Sequence, residues 1–338
     1  MRNQSVQSWR GIAIIAVLLI HLSFLKRENE DVFLITRQVL NFAVPLFFFI
    51  SGYFAKFSDS VNWKGIKRLF IPYLLWSVIS YSMGEWDLYR GREYYYDQYN
   101  IVEVLLFGYS SMQMYYLTAL IGLVFVTPFI YRYKDMMLTK ILCLAATPVC
   151  VLINYWWRWR FSEEIQYLTS VFIFHLTYFY LGLMSRERTF RLTFGNGTLL
   201  LVAFAAIYIG VIESRLLTMA IRGGSYAGPY RMCGMVFCLS VIAIAYKEIS
   251  SSDAFSKTKS ILAAIGDYSF IIYLSHLQVF RGGYFVACKF LGKDCMSLEM
   301  EIAKDIIIVV FTITFTILAG KIAERILPTN MIKWIGIR

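Results

Sequence analysis

Residues 9–21 read Trp9-Arg10-Gly11-IAIIAVLLI-His21, an apolar run with an arginine at its mouth and a histidine at its far end. Wound as an α-helix at about 100° and 1.5 Å per residue, eleven steps put Arg10 and His21 on one face roughly 16 Å apart. A lone buried histidine in a soluble core is usually structural. In a membrane span an ionisable group has to be offset by something and marks function by default. The rest of the chain decides which case applies.

The chain has 338 residues, 58% hydrophobic and only 16% charged, against roughly 25% charged in ordinary soluble domains. Mean hydropathy is +0.57, and apolar runs long enough to cross about 30 Å of hydrocarbon recur throughout. Ten spans are expected, at about 10–26, 38–55, 69–84, 114–131, 138–156, 166–184, 197–213, 232–246, 261–280 and 303–321. No small-residue cleavage site follows the first run and a second span comes at once, so a cleavable signal peptide is not expected.

The net charge of +11 is distributed as topology rather than as a nucleic-acid surface. No solvated basic domain exists, so a nucleic-acid partner is not expected. Alternate hydrophilic segments, beginning with the N-terminus and ending with the C-terminal tail, hold 19 of the 33 Lys/Arg residues and six acids. The intervening set holds 14 basic residues and 15 acids, among them Glu28, Glu30, Asp31, Glu85 and Asp87. The positive-inside rule then places both termini in the cytoplasm. The expected fold is an all-α integral membrane bundle of about ten transmembrane helices. No linker or soluble segment interrupts it, so 1–338 reads as a single transmembrane domain.

In the second span, NFAVPLFFFISGYF, Pro45 predicts a kink and Ser51-Gly52 predicts close approach of another backbone. The loop after it carries Lys64, Lys67 and Arg68. These are either snorkelling anchors at the interface or a phosphate-binding cluster beside Arg10. Tyrosines crowd segment 85–113, as an interfacial belt or as a platform for sugar faces. His175 reads as a helix-packing residue. His276 lies in an unusually polar span with Asp267, Ser269, Tyr273 and Ser275, and stands equally as a packing residue or a catalytic one. Four of the six cysteines fall in apolar runs; Cys288 and Cys295 form a disulfide if their loop faces an oxidising compartment and are free thiols otherwise. No His/Cys grouping has metal-ligand spacing, so no metal is expected.

Arg10 and His21 with ten residues between them, VPLFFFISGYF, the basic loop running into IPY at 71–73, FYLGLM at 179–184 and IGDYSFIIYLSHL at 265–277 together resemble the membrane-bound acyltransferase-3 family. The similarity runs in order from residue 9 to about 325. It implies a bundle of about ten helices that moves an acyl group, usually acetyl, from cytoplasmic acetyl-CoA to a cell-surface carbohydrate such as O-antigen or exopolysaccharide in the bacterial inner membrane. By position, Arg10 and His21 become the paired motif residues. Lys64, Lys67 and Arg68 take the place of a short basic motif. The family's histidine-tryptophan stretch before span four is replaced here by SMQMYYLTALI, with Tyr115-Tyr116 and no histidine.

Elementary chemistry agrees. A sugar hydroxyl attacks a thioester only with help from a positioned base, and histidine suits that role near neutrality. The phosphates of acetyl-CoA call for fixed cations. The candidate catalytic residues are therefore His21, Arg10 and His276; the candidate co-substrate-binding residues are Arg10, Lys64, Lys67 and Arg68. The partners expected are a lipid-linked or polymeric surface sugar and the membrane lipids, with oligomeric state left open. His21 acts either as base in a direct transfer or in handling an acyl-enzyme. A transporter or flippase of lipid-linked sugar is the alternative class, disfavoured because corresponding Gly/Pro-broken helices are missing from the two halves.

Overall fold

A computed structural model describes residues 3–21, 30–89, 101–111, 113–161, 165, 171–187, 193–220, 231–250, 257–292 and 298–337. Among these the secondary structure is entirely α-helical. In chain order the helices are α1 (Gln4–Ile20), α2 (Glu30–Leu40), α3 (Ala43–Phe54), α4 (Trp63–Tyr89), α5 (Ile101–Phe107), α6 (Tyr115–Arg132) and α7 (Met137–Phe161). They continue with α8 (Phe172–Arg186), α9 (Asn196–Ala220), α10 (Met232–Ser250), α11 (Lys257–Asp267), α12 (Ser269–Leu291), α13 (Leu298–Ile326) and α14 (Thr329–Trp334).

Every expected span contains a helix, but the count of ten is not reproduced by length and composition. Among the described residues six helices are long and apolar enough to cross a membrane: 32–54 taken through its break, α6, α7, α9, α10 and α13. The pair α11 and α12, bent by 73° at Tyr268, makes a seventh if it is one span. The other three expected spans correspond to α1, α4 and α8. Of these, α1 and α8 have only 17 and 15 residues.

The first span differs from expectation in extent. α1 starts early, with Asn3 Oδ1 accepting from Val6 N–H at 3.3 Å as an N-cap. It ends at Ile20, where His21 leaves helical geometry (φ −91°, ψ 1°) and donates its backbone N–H to Leu18 O. His21 therefore caps the helix rather than lying inside it. The continuation to residue 26 lies outside the described residues, as do Glu28, residues 90–100 with most of the tyrosine-rich segment, and Cys295 with its pairing to Cys288.

Pro45 breaks its span. A proline cannot donate to the carbonyl four residues back and its ring crowds it, and the chain turns at Asn41-Phe42 between α2 and α3. The Asn41 carbonyl, left without that helical donor, lies 3.7 Å from Cys238 Sγ of α10. Beyond the break, α3 crosses α8 with the backbones in contact. A Cβ on Gly52 would stand 2.1 Å from Phe179 O, and one on Gly182 2.1 Å from Phe49 O. The small residues read from the sequence do place two helices face to face.

A second crossing of this kind fixes α1. A Cβ on Gly11 would stand 2.1 Å from Leu262 O of α11, and one on Gly266 1.9 Å from Gln7 O of α1. Around it, Ser8 Oγ donates to Lys259 O at 2.9 Å, Trp9 Nε1 donates to Glu248 Oε2 at 3.1 Å, and Lys259 Nζ pairs with Glu248 at 2.6 Å. The start of α1, the end of α10 and the start of α11 are thus tied together at one end of the bundle. At the opposite end Glu213 of α9 accepts from the Tyr155 hydroxyl and from the N–H groups of Met232 (2.9 Å) and Cys233 (3.1 Å), which caps α10. Fully buried Arg231 donates to Gly210 O and Ser214 Oγ beside it. The core between these ends is built from α1, α3, α6, α8, α10 and α12.

Candidate functional site

Packing α1 against the bent pair α11–α12 brings two histidines from opposite ends of the sequence together. The rings of His21 and His276 stand 5.1 Å apart, inclined at 43°. His276 is completely buried, whereas His21 is half-buried. Its Nδ1 lies 2.8 Å from Tyr273 O. A carbonyl only accepts, so Nδ1 carries the proton and Nε2 holds a lone pair. Among the described residues Nε2 has no hydrogen-bond partner.

The turn that carries His276 is held from outside its helix. The Tyr273 hydroxyl donates to Gln113 O, while Gln113 Nε2 donates to Leu274 O at 3.2 Å. Gln113 is itself buried, with Ser111 Oγ donating to its Oε1 at 2.5 Å. His21 is held through its neighbour: Arg37 Nη1 of α2 donates to Ile20 O at 3.0 Å. A cation at the carbonyl end of α1 also matches the negative end of the helix dipole.

Beside Arg10, two turns in from the start of α1, lies a cavity of about 530 Å³, within the range of small-molecule sites. Among the described residues its cations are Arg10, Lys56, Arg68 and Lys333, and no Asp or Glu lines it. Ser51, Phe54 and Phe270 line it as well. The expected basic cluster divides here. All three are exposed on the same stretch of α4, but only Arg68 lines the cavity and Lys64 and Lys67 do not. Two of the cavity's cations, Lys56 and Lys333, are additions that the sequence reading did not single out.

The histidines do not line this cavity, but aromatic groups connect the two. Ser51 Oγ on its wall is 3.1 Å from the Tyr116 hydroxyl. The Tyr116 ring lies 5.2 Å from Tyr273, and Tyr273 lies 6.0 Å from His276. Along α12, Phe270 on the cavity wall precedes His276 by six residues, about 9 Å of helix rise. Tyr115-Tyr116, standing where a histidine-tryptophan stretch was looked for, thus belong to this core. The third histidine, His175, stacks on Phe48 at 4.1 Å and 15° and is buried, as a packing residue would be.

A cationic cavity less than two helical turns along α12 from a buried imidazole can hold a polyanion at one end and withdraw a proton at the other. A family model described as an acyltransferase domain, Acyl_transf_3, matches residues 3–321. No curated protein and no solved structure is significantly similar to the chain. A match that omits only the first two residues and the last turn of α13 with the tail beyond it settles the assignment: the chain belongs to the membrane acyltransferase-3 family and is an acyltransferase.

Proposed function

We propose that this chain is a multi-pass O-acetyltransferase of the bacterial inner membrane. In this reading it is one transmembrane domain of about ten helices with both termini in the cytoplasm. It takes the acetyl group from cytoplasmic acetyl-CoA and passes it to a hydroxyl of a lipid-linked or polymeric surface carbohydrate, O-antigen or exopolysaccharide first among them. The observation that carries the reading is the placement of His21 beside His276 at the far end of the helix that brings Arg10 into the cationic cavity.

The diphosphate and 3′-phosphate of the donor rest against Arg10, Lys56 and Arg68, with Lys64 and Lys67 outside the cavity as attracting charges. The pantetheine arm runs along α1 and α12 toward the histidines. Nε2 of His276, its tautomer fixed by Tyr273 O, accepts the proton of the acceptor hydroxyl as that oxygen attacks the thioester carbonyl. The C–S bond then breaks, the ester forms, and the sulfur of coenzyme A takes up a proton. His21, next to His276 and half-buried, orients the acyl carbonyl or relays the proton.

Membranes containing the full chain are incubated with acetyl-CoA labelled in the acetyl group and with lipopolysaccharide or exopolysaccharide lacking O-acetyl groups. Label in the carbohydrate, lost in H276A and H21A at unchanged protein level, is expected. Unaltered transfer in both variants overturns the roles given to the histidines. Movement of unmodified carbohydrate without transfer of label overturns the enzymatic reading.

A further inference from the structure

The cavity has a wall that lies beyond the family match, which ends at residue 321. After α13 the chain turns at Pro328 into α14 and folds back on the bundle. Trp76 Nε1 of α4 donates to Ile335 O at 3.1 Å. Gly336 adopts φ +92°, a conformation that side chains rarely take. A Cβ there would stand 2.6 Å from Leu274 Cδ1 and 3.2 Å from Phe270 Cδ1 of α12. Ile337 is buried, 4% exposed. The tail is therefore seated between α4 and α12 by a hydrogen bond, a close backbone approach and an apolar plug.

That seating gives three tail residues to the cavity: Lys333, Gly336 and Ile337. Gly336 lets the backbone come against α12, and Ile337 closes the lining beside Phe270. Lys333 adds a fourth cation to a space lined by no described carboxylate. Basic groups that converge on one cavity offer an anion with several charges several charge-assisted contacts at once. They also come from four separate elements, α1, the turn after α3, α4 and α14, so no local helix pattern accounts for their convergence.

From this seating we infer that the tail 329–337 is a wall of the donor site and that Lys333 is a further phosphate-binding residue for acetyl-CoA. The inference rests on the donor reading proposed above. The backbone of the tail fixes the position of Lys333, and its ammonium pairs with a phosphate of the nucleotide half of the donor. The acetyl end lies away from it, toward the histidines.

The test is equilibrium binding of acetyl-CoA and of acetyl-pantetheine, which lacks the nucleotide phosphates, to the purified full chain. K333A weakens acetyl-CoA binding about tenfold, the size of one charge-assisted contact, and leaves acetyl-pantetheine binding unchanged. K333R, which keeps the charge, recovers most of the loss and shows that the tail still folds. Equal loss for both ligands, or K333R behaving as K333A, overturns the phosphate role of Lys333. Unchanged binding in K333A with weakened binding in R68A overturns the tail's part and leaves the donor site standing. Unchanged acetyl-CoA binding in both variants overturns the donor reading and the tail's part with it.

Discussion

The imidazole of His276 lies 5.1 Å from that of His21, and its Nδ1 is committed to Tyr273 O at 2.8 Å. The two nitrogens of His276 thus have separate tasks: one positions the ring and the other is open to a proton. Asparagine at 276 keeps an N–H near the place of Nδ1 but offers no base. H276N is expected to fold and to lower the transfer rate by about 10² to 10⁴, the range for loss of a general base. Initial rates on membranes with matched protein content check this. Transfer above about a tenth of the parent rate would remove His276 from the reaction.

The three basic residues of the loop into α4 are expected to differ in their effect. Arg68 lines the cavity, while Lys64 and Lys67 are exposed away from it. R68A should raise KM for acetyl-CoA by about tenfold, one charge-assisted phosphate contact. K64A and K67A should stay within about twofold, as exposed charges outside the cavity do. Equal effects at all three positions would argue for a diffuse interfacial patch in place of a cavity.

Gly266 sits where a methyl group would lie 1.9 Å from Gln7 O and 3.0 Å from Gly11 N. Neither atom belongs to a side chain that could swing away, so G266A has to push α1 off α11. A loss of about 1–3 kcal/mol or more is expected from overpacking, read as earlier thermal unfolding in detergent. The same shift separates His21 from His276, so activity should fall more steeply than stability. A variant of normal melting temperature and normal rate would refute the backbone contact.

Arg37 is expected to matter although no reading of motifs selected it. Its bond to Ile20 O holds the residue next to His21. R37A removes a charged hydrogen bond of about 1.5–3 kcal/mol and frees the end of α1. It should lower the transfer rate while leaving acetyl-CoA binding at the distant cavity unchanged, and R37K should recover part of the rate. Loss of donor binding in R37A would instead mean a general collapse of the fold.

The sequence by itself determined that this is a helical membrane protein of the acyltransferase-3 family. Composition and recurring apolar runs do not depend on which helices become neighbours, and the motifs lie within short continuous stretches. Local chemistry was legible for the same reason. Pro45 had to disturb its helix, and Gly52 had to allow a close neighbour. Arg10 and His21 were expected to share a face because helical rise and rotation are fixed along one element.

Only the tertiary structure decided what lies opposite each of these residues. It placed Gly266 against Gln7, so that α12 delivers His276 to His21. It turned Arg68 to the cavity and left Lys64 and Lys67 outside, and it seated a tail whose sequence has no motif so that Lys333 lines the same cavity as Arg10. It also ended α1 at Ile20, where apolarity alone had continued the helix through residue 26. Such relationships depend on backbone approach and side-chain volume between distant segments. A hydropathy pattern records how much apolar surface a helix presents, and not which helix covers it.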